Sequence, residues 1–303
     1  MEFSYGGPVY NPLYIFRLIP LLRKYDIIHT HNTAPQLFSA LAGALCSAVL
    51  VTTEHNTSNR RREWKWYRLI DRWMYNRYRS VICISDAAEV NLKKYLGGFH
   101  THIVTIYNGI NIHRFMEALP DEKLMCQKAD RKVMVMVACF RYQKDQDTLI
   151  RAMKYLPKEK YEIWLVGDGE RRTFLEQLCR DEQIENQVRF LGIRNNIPEI
   201  LKVADFVVMS SHFEGLSLSS IEGMAVGKPF IASDVDGLRE ITCGAGILFP
   251  HGDAQQLARE IEHLAENRNY YNQVAKRCLE RAEEYDIYKM VDGYERIYKK
   301  LFK

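Results

Sequence analysis

Glu214 and Glu222 stand eight positions apart in the segment Ser210-Ser211-His212-Phe213-Glu214-Gly215-Leu216-Ser217-Leu218-Ser219-Ser220-Ile221-Glu222-Gly223. A carboxylate only accepts hydrogen bonds, so it suits a ligand offering two hydroxyl donors at matched separation, as a ribose or a hexose does. Gly215 sits in the loop that holds the first acid, and the second falls inside a helix whose start is marked by the serine cluster at 217–220. Eight residues is a little over two helical turns, which lets both acids face one cleft. The backbone N–H groups of Gly215, Leu216 and Ser217 are then placed to meet an anion. Gly167 and Gly169 follow the apolar run 161–166 and allow a tight turn whose helix N-terminus could face a phosphate. Without the third glycine of a dinucleotide fingerprint, a turn with no ligand is the commoner reading of that pair. His29 and His31 fall on one face of a strand by the two-residue period, and His55 ends another strand. Three histidines could bind zinc, but no fourth ligand or structural-zinc spacing accompanies them, which favours a structural or substrate-facing role.

Elements that could hold such residues alternate along the chain from Tyr25 onward. Short β-branched runs and longer segments of helical period succeed one another, as in βαβ units with a parallel sheet. Strands are predicted at 26–30, 49–53, 80–84 and 103–107, then at 133–138, 161–167, 188–191, 206–209, 229–233 and 246–249. The polar stretch 117–131, with Pro120 and an acid–acid–lysine run, reads as the linker between two strand sets. The predicted division is therefore a first domain at 1–128 and a second at 129–285, followed by a closing segment at 286–303 whose apolar residues repeat at helical spacing. Two such sheets imply a cleft with ligands at the carboxyl ends of the strands.

A length of 303 residues, 47% of them hydrophobic and 26% charged, excludes a disulfide miniprotein, a disordered chain and an integral membrane protein. Seven cysteines without any Cys-x-x-Cys fit neither a disulfide framework nor a zinc ribbon. Residues 1–130 carry 16 Lys+Arg against 11 Asp+Glu, so the basic excess lies in the first half and points to an anionic partner there. The segment 59–79 combines eight basic residues with six aromatic ones over a helical stretch. Tyr67, Leu69, Ile70 and Trp73 are predicted to form a buried stripe, with the arginines free to grip phosphates or an anionic membrane surface. No reader motif accompanies the charge, which argues against nucleic acid.

The second-half motifs, taken in order, resemble the GT-B, family 4-type retaining glycosyltransferases, whose signature is Glu, seven residues, Glu. Glu214 and Glu222 match it; so do Val137 to Ala152 with Lys144, Leu165-Val166-Gly167-Asp168-Gly169, the run Ala232 to Glu240, and Gly246 to Pro250. The resemblance implies an α/β fold of two Rossmann-like domains, the first shortened at its N-terminus by at least one βαβ unit, ~30 residues or more. It implies that Glu222 binds the donor's ribose, that Glu214 lies beside the donor sugar, that Lys144 holds the diphosphate, and that the helix at 286–303 crosses back to the first domain. Family members commonly carry arginine where this chain has Cys139, and Arg141 is the nearest substitute cation. His55 matches a histidine that faces acceptor and donor sugar. Asp145-Gln146-Asp147 and Asp234-Val235-Asp236 match the metal-binding Asp-x-Asp pattern of the other large glycosyltransferase fold, but among these motifs neither is read as a metal site, and Asp145 reads as a helix cap. Ser85 likewise reads as a cap, and Asn108-Gly109 as the family's turn before the linker.

The implied activity is transfer of a hexose-type sugar from a UDP- or GDP-sugar, without a cofactor or metal, to a glycan or lipid-linked acceptor in surface-polysaccharide synthesis. The expected location is the cytoplasm, peripheral at the inner face of the plasma membrane. Two alternatives are a catalytically impaired donor-binding or scaffold protein, favoured by Cys139 and the missing unit, and a GT-B sugar-nucleotide epimerase, disfavoured by the complete paired-glutamate block.

Overall fold

A computed structural model describes residues 11–55, 62, 64, 66–97, 102–128 and 130–302. Cα packing divides the chain into two units, Met1–Asn108 with Met290–Lys303, and Gly109–Lys289.

The first unit runs α1 (Leu13–Leu22), β1 (Ile27–His31), α2 (Thr33–Gly43), β2 (Val49–Glu54), α3 (Tyr67–Asn76), β3 (Ser80–Cys83), α4 (Asp86–Leu96) and β4 (Ile103–Thr105). Its strands are all parallel, in the order β1-β2-β3-β4. β3 is buried throughout and β2 nearly so, which explains their continuous apolar and threonine runs. Leu50, Val81 and Cys83 meet Ala40, Met74, Tyr75, Ala88, Leu92 and Leu96 in one core. The Ser85 hydroxyl caps α4 by accepting from the Ala88 N–H, and Gly97, in the left-handed region at φ 63°, ends it.

α3 corrects the sequence reading. Asp71, Met74 and Tyr75 face inward, whereas Leu69, Ile70 and Trp73 are exposed. Polar anchors set the helix rotation: the Tyr75 hydroxyl donates to the buried Glu54 carboxylate at 2.5 Å, and the Tyr95 hydroxyl donates to Asp71 at 3.0 Å. Just beyond the helix, the Tyr78 hydroxyl donates to the Gln36 carbonyl at 2.7 Å. Leaving any one of these buried groups unpaired would cost about 1–3 kcal/mol, comparable with what burying one exposed apolar side chain would gain, and the rotation observed satisfies all of them together. Residues 59–61, 63 and 65 of the basic stretch lie outside the described residues.

The second unit runs α5 (Ile112–Met116), α6 (Glu122–Gln127), β5 (Lys132–Val137), α7 (Gln146–Ala152), β6 (Tyr161–Val166), α8 (Arg172–Asp181), β7 (Val188–Gly192), α9 (Ile197–Val203), β8 (Phe206–Met209), α10 (Leu218–Ala225), β9 (Phe230–Ser233), α11 (Leu238–Thr242), β10 (Ile247–Phe249), α12 (Ala254–Glu266) and α13 (Arg268–Glu283). Its six parallel strands lie in the order β10-β9-β8-β5-β6-β7, so the chain reverses direction across the sheet between β5 and β8. A last helix, α14 (Ile287–Leu301), passes from this unit into the first at Met290.

The expected boundary near 129 falls elsewhere. Ile110, Ile112, Phe115 and Leu124 belong to the core of the second unit, and the supposed linker contains α6, capped by Asp121 and docked through Leu124. Ile110 exchanges backbone hydrogen bonds with the Tyr285 carbonyl and the Ile287 N–H. Polarity at 117–131 reflects the solvent face of a short helix rather than a connection between units.

Candidate active site

β5 and β8 are neighbours, and the loops leaving their carboxyl ends lie side by side where the strand order reverses, the place at which open α/β sheets take ligands. Backbone and side-chain donors on backbone carbonyls fasten these loops together. The His212 N–H donates to the Gln143 carbonyl at 2.8 Å, Gln143 Nε2 to the Phe213 carbonyl at 2.9 Å, and the Ser210 hydroxyl to the Asp145 carbonyl at 2.6 Å. Into this frame Lys144 projects Nζ to within 2.5 Å of Glu214 Oε1, and the Ser211 hydroxyl donates to the same oxygen at 2.7 Å. Two charges drawn together at so short a range, with the Glu214 side chain only 6% exposed, interact far more strongly than a surface pair.

Glu214 is supported from below by the turn 234–237. Its N–H bonds the Asp236 carbonyl, and Gly237, at φ 81°, passes so close that a Cβ there would lie 2.5 Å from the Glu214 carbonyl oxygen. Gly215 is exposed, Leu216 half-buried and Ser217 buried. Ser217 is the N-cap of α10, but its side chain makes no capping bond; the helix begins as the serine cluster predicts, without that serine satisfying its first N–H groups.

Glu222 lies in α10, which Gly223 allows to press against the sheet: a Cβ at 223 would sit 2.7 Å from Val207 Cγ1. Burial pushes the Glu222 carboxyl up from its usual range, and the positive charge of Arg114 in α5 opposes that shift. Arg114 also donates to the Asn195 carbonyl, in the loop after β7, at 3.5 Å. Arg114 was missed in sequence because the boundary near 129 put it in the other domain; the pairing of its charge with Glu222 depends on α5 packing beside α10.

Gly167 and Gly169 bring two loops into backbone contact. The Phe140 N–H donates to the Asp168 carbonyl at 3.0 Å, and a Cβ at 169 would stand 2.6 Å from the Phe140 carbonyl oxygen. Gly167 has φ 136°, which side-chain-bearing residues rarely adopt, and a Cβ there would overlap the Ala138 carbonyl. Gly167→Ala is therefore expected to destabilise the protein by about 2–3 kcal/mol, seen as a lower urea midpoint at unchanged slope.

Cys139 and Arg141 are exposed, and Arg141 pairs with no acid among the described residues. Both Asp-x-Asp matches are engaged by neighbours. Asp145 caps α7 through the Thr148 N–H and hydroxyl, Asp147 pairs with Arg171 at 2.9 Å, and Asp234 pairs with Arg239 at 2.5 Å. Asp145, His212 and His251 are the one trio among the described residues whose atoms converge closely enough to hold a metal ion. His212 Nδ1 and His251 Nε2 approach to 2.5 Å, a hydrogen-bond distance, whereas nitrogens around a tetrahedral ion lie roughly 3.3 Å apart.

In the first unit, His29 and His31 stack with ring centroids 4.5 Å apart, as the strand period requires. His29 bonds Tyr298 of α14 at 2.5 Å and Thr53 at 2.8 Å, and burial together with the neighbouring histidines lowers its pKa to about 4, so it is neutral at pH 7. His55 at the end of β2 meets His31, Nε2 to Nδ1, at 2.9 Å. Burial lowers the His55 pKa, with Glu54 pulling the other way.

Residues 126–282 match the family profile described as glycosyl transferases group 1, and residues 2–114 match that of glycosyltransferase family 4. The chain belongs to the group 1 glycosyl transferases. One relative of this group 1 chain, an uncharacterized glycosyltransferase of Methanocaldococcus jannaschii, is 31% identical over 233 residues, 72% of this chain and 60% of that protein. The UDP-Gal:alpha-D-GlcNAc-diphosphoundecaprenol alpha-1,3-galactosyltransferase of Escherichia coli is 26% identical over 305 residues, 94% of this chain and 78% of that protein. Among solved structures, Anabaena HepE in complex with UDP matches with a TM-score of 0.84 at 23% identity, covering 94% of this chain and 82% of that one. The fold is accordingly that of the GT-B glycosyltransferases, with two parallel α/β sheets.

Proposed function

We propose that the protein is a retaining hexosyltransferase that moves a sugar from a UDP-sugar to a lipid-linked or glycan acceptor in cell-surface polysaccharide synthesis. The observation that carries this reading is the Lys144–Glu214 contact, 2.5 Å long, at the reversal of strand order in the second unit. A donor diphosphate entering beside Lys144 would draw the ammonium to itself and release the Glu214 carboxylate toward the hydroxyls of the donor sugar. Glu222 takes the ribose hydroxyls, with the nearby charge of Arg114 favouring its ionised form. The first-turn N–H groups of α10 and the backbone from Gly215 to Ser217 complement charge that grows on the leaving diphosphate. Arg141 is the second phosphate cation, reaching in from an exposed turn in place of the arginine that Cys139 replaces. With these groups neutralising the leaving charge, transfer needs no metal. Retention follows from attack on the same face, the departing phosphate taking the acceptor's proton. His55, held by His31, belongs to the acceptor side.

UDP as the donor nucleotide, and a diphosphate-linked lipid as the acceptor class, are supported by the HepE complex and the named substrate of the Escherichia coli relative. Among the described residues no helix is long and apolar enough to cross a membrane. The proposal puts the protein at the cytoplasmic face of the bilayer through surface contact.

Calorimetry with UDP and GDP, followed by a donor-turnover assay with UDP-sugars, tests the reading. UDP binding with turnover is expected. Failure to bind either nucleotide would overturn it, and binding without turnover would favour the impaired donor-binding protein, the alternative that Cys139 keeps in view.

A further inference from the structure

An apolar stripe that a folded protein leaves in water marks a contact with something else. α3 carries one. Leu69, Ile70 and Trp73 are spaced as one helical face, Trp66 precedes them on the same spacing, and all four are exposed, from 37% at Ile70 to 69% at Leu69. The opposite face, with Asp71, Met74 and Tyr75, is the one that packs. The helix thus packs through that face, while on the stripe Trp66 lies against the half-buried Tyr67 with ring centroids 4.1 Å apart and the outer surfaces of all four side chains stay in water.

The rim of the stripe is basic. Arg68 and Arg72 are half-buried beside it, with their guanidinium groups turned to the end of α4, where Arg72 Nε donates to the Leu96 carbonyl at 2.8 Å. Arg77 and Arg79 follow at the helix end and are exposed, Arg77 donating to the Gly43 carbonyl at 3.3 Å, and the sole acid of the helix, Asp71, is turned inward to accept from Tyr95. Apolar residues flanked by arginines, with tryptophans at the boundary, fit the headgroup region of a bilayer bearing negative charge: the indoles take the interface, the aliphatic chains reach the acyl boundary, and the guanidinium groups meet lipid phosphates. The charge on this helix is of one sign, and with the tryptophans at its boundary it complements a surface that is anionic throughout, as a headgroup layer bearing acidic lipids is. A second apolar exposure lies on α1, at Leu13 and Phe16, and α1 packs on α2 as α3 does.

We infer that α3 docks the protein on an anionic lipid bilayer, lying in the plane of the interface with Trp66, Leu69, Ile70 and Trp73 inserted, the exposed Arg77 and Arg79 at the headgroups, and Arg68 and Arg72 adding positive charge behind them. The inference deepens the proposed function, since it rests on a lipid-linked acceptor and names the surface that would bring the enzyme to it.

The test is co-sedimentation of the full chain with vesicles of phosphatidylcholine alone and of phosphatidylcholine mixed with phosphatidylglycerol, with brominated lipids as quenchers of tryptophan fluorescence. Binding to the mixed vesicles, quenching on binding, and weakening by added salt are expected. Leu69→Glu should reduce partitioning at least tenfold, and Trp73→Ala should remove part of the quenching. Both positions are exposed, so the fold should persist, and UDP binding by each variant serves as the check. No partitioning to mixed vesicles, or equal partitioning of Leu69→Glu, would overturn the inference. So would vesicle-independent self-association that Leu69→Glu abolishes, which would make the stripe a contact between copies. Vesicle binding is read without donor or acceptor, so its failure is distinct from failure of the glycosyltransferase reading, which UDP binding and turnover decide.

Discussion

Glu214→Gln is expected to lower kcat for sugar transfer by about 10²–10³-fold while leaving UDP affinity within a few-fold of the parent. The carboxylate is anchored by the Ser211 hydroxyl and by Lys144, and the turn at Gly237 holds its backbone in place, so the amide would occupy the same position. On the proposed donor position, what changes is charge at the reacting end of the donor, where a group that acts only as positive charge develops on the sugar contributes to kcat rather than to binding. Steady-state kinetics beside UDP calorimetry separates the two quantities. A loss confined to UDP affinity, with kcat intact, would remove Glu214 from the chemistry.

Glu222→Gln is expected to act in the opposite sense, weakening UDP about 10–100-fold with kcat at saturating donor little altered. Two ribose hydroxyls donating to one carboxylate make charge-assisted bonds of about 1.5–3 kcal/mol each, part of which an amide keeps through its single oxygen. Because burial raises the Glu222 pKa, the group takes up a proton at less acidic pH than an exposed glutamate would. UDP affinity should therefore begin to decline as the pH is lowered while exposed carboxylates are still ionised, and the Gln variant should show no such decline. Calorimetry across that range measures both effects; a pH profile shared by parent and variant would place the titrating group elsewhere.

Periodicity carried the strand plan well. β8, β5 from Val133 and β6 from Ile163 are continuous apolar runs because both their faces are covered, and a pattern of that kind survives any detail of packing. The paired glutamates were legible for a related reason: loop, serine cluster and helix fall within one local segment, so their spacing is their geometry. Long-range packing was not legible. α3 turned its apolar side outward because Tyr75, Tyr78 and Asp71 satisfy buried polar partners from distant parts of the chain, and no hydrophobic pattern encodes those partners. The stretch 117–131 looks polar and was read as the linker, yet the chain from Gly109 onward packs with the second unit through Ile112, Phe115 and Leu124, so Arg114 arrived beside α10 unannounced.

The route of the chain also orders its biogenesis. The second unit is one uninterrupted stretch, whereas the first is completed by residues beyond Met290, whose Tyr298 bonds His29. During translation the unit that is synthesised first is thus the one finished last: its sheet can form early, but His29 must wait for the ribosome to pass Tyr298 before it finds its phenolic partner. A truncation or fusion at α14 would be felt at β1, at the far end of the sequence.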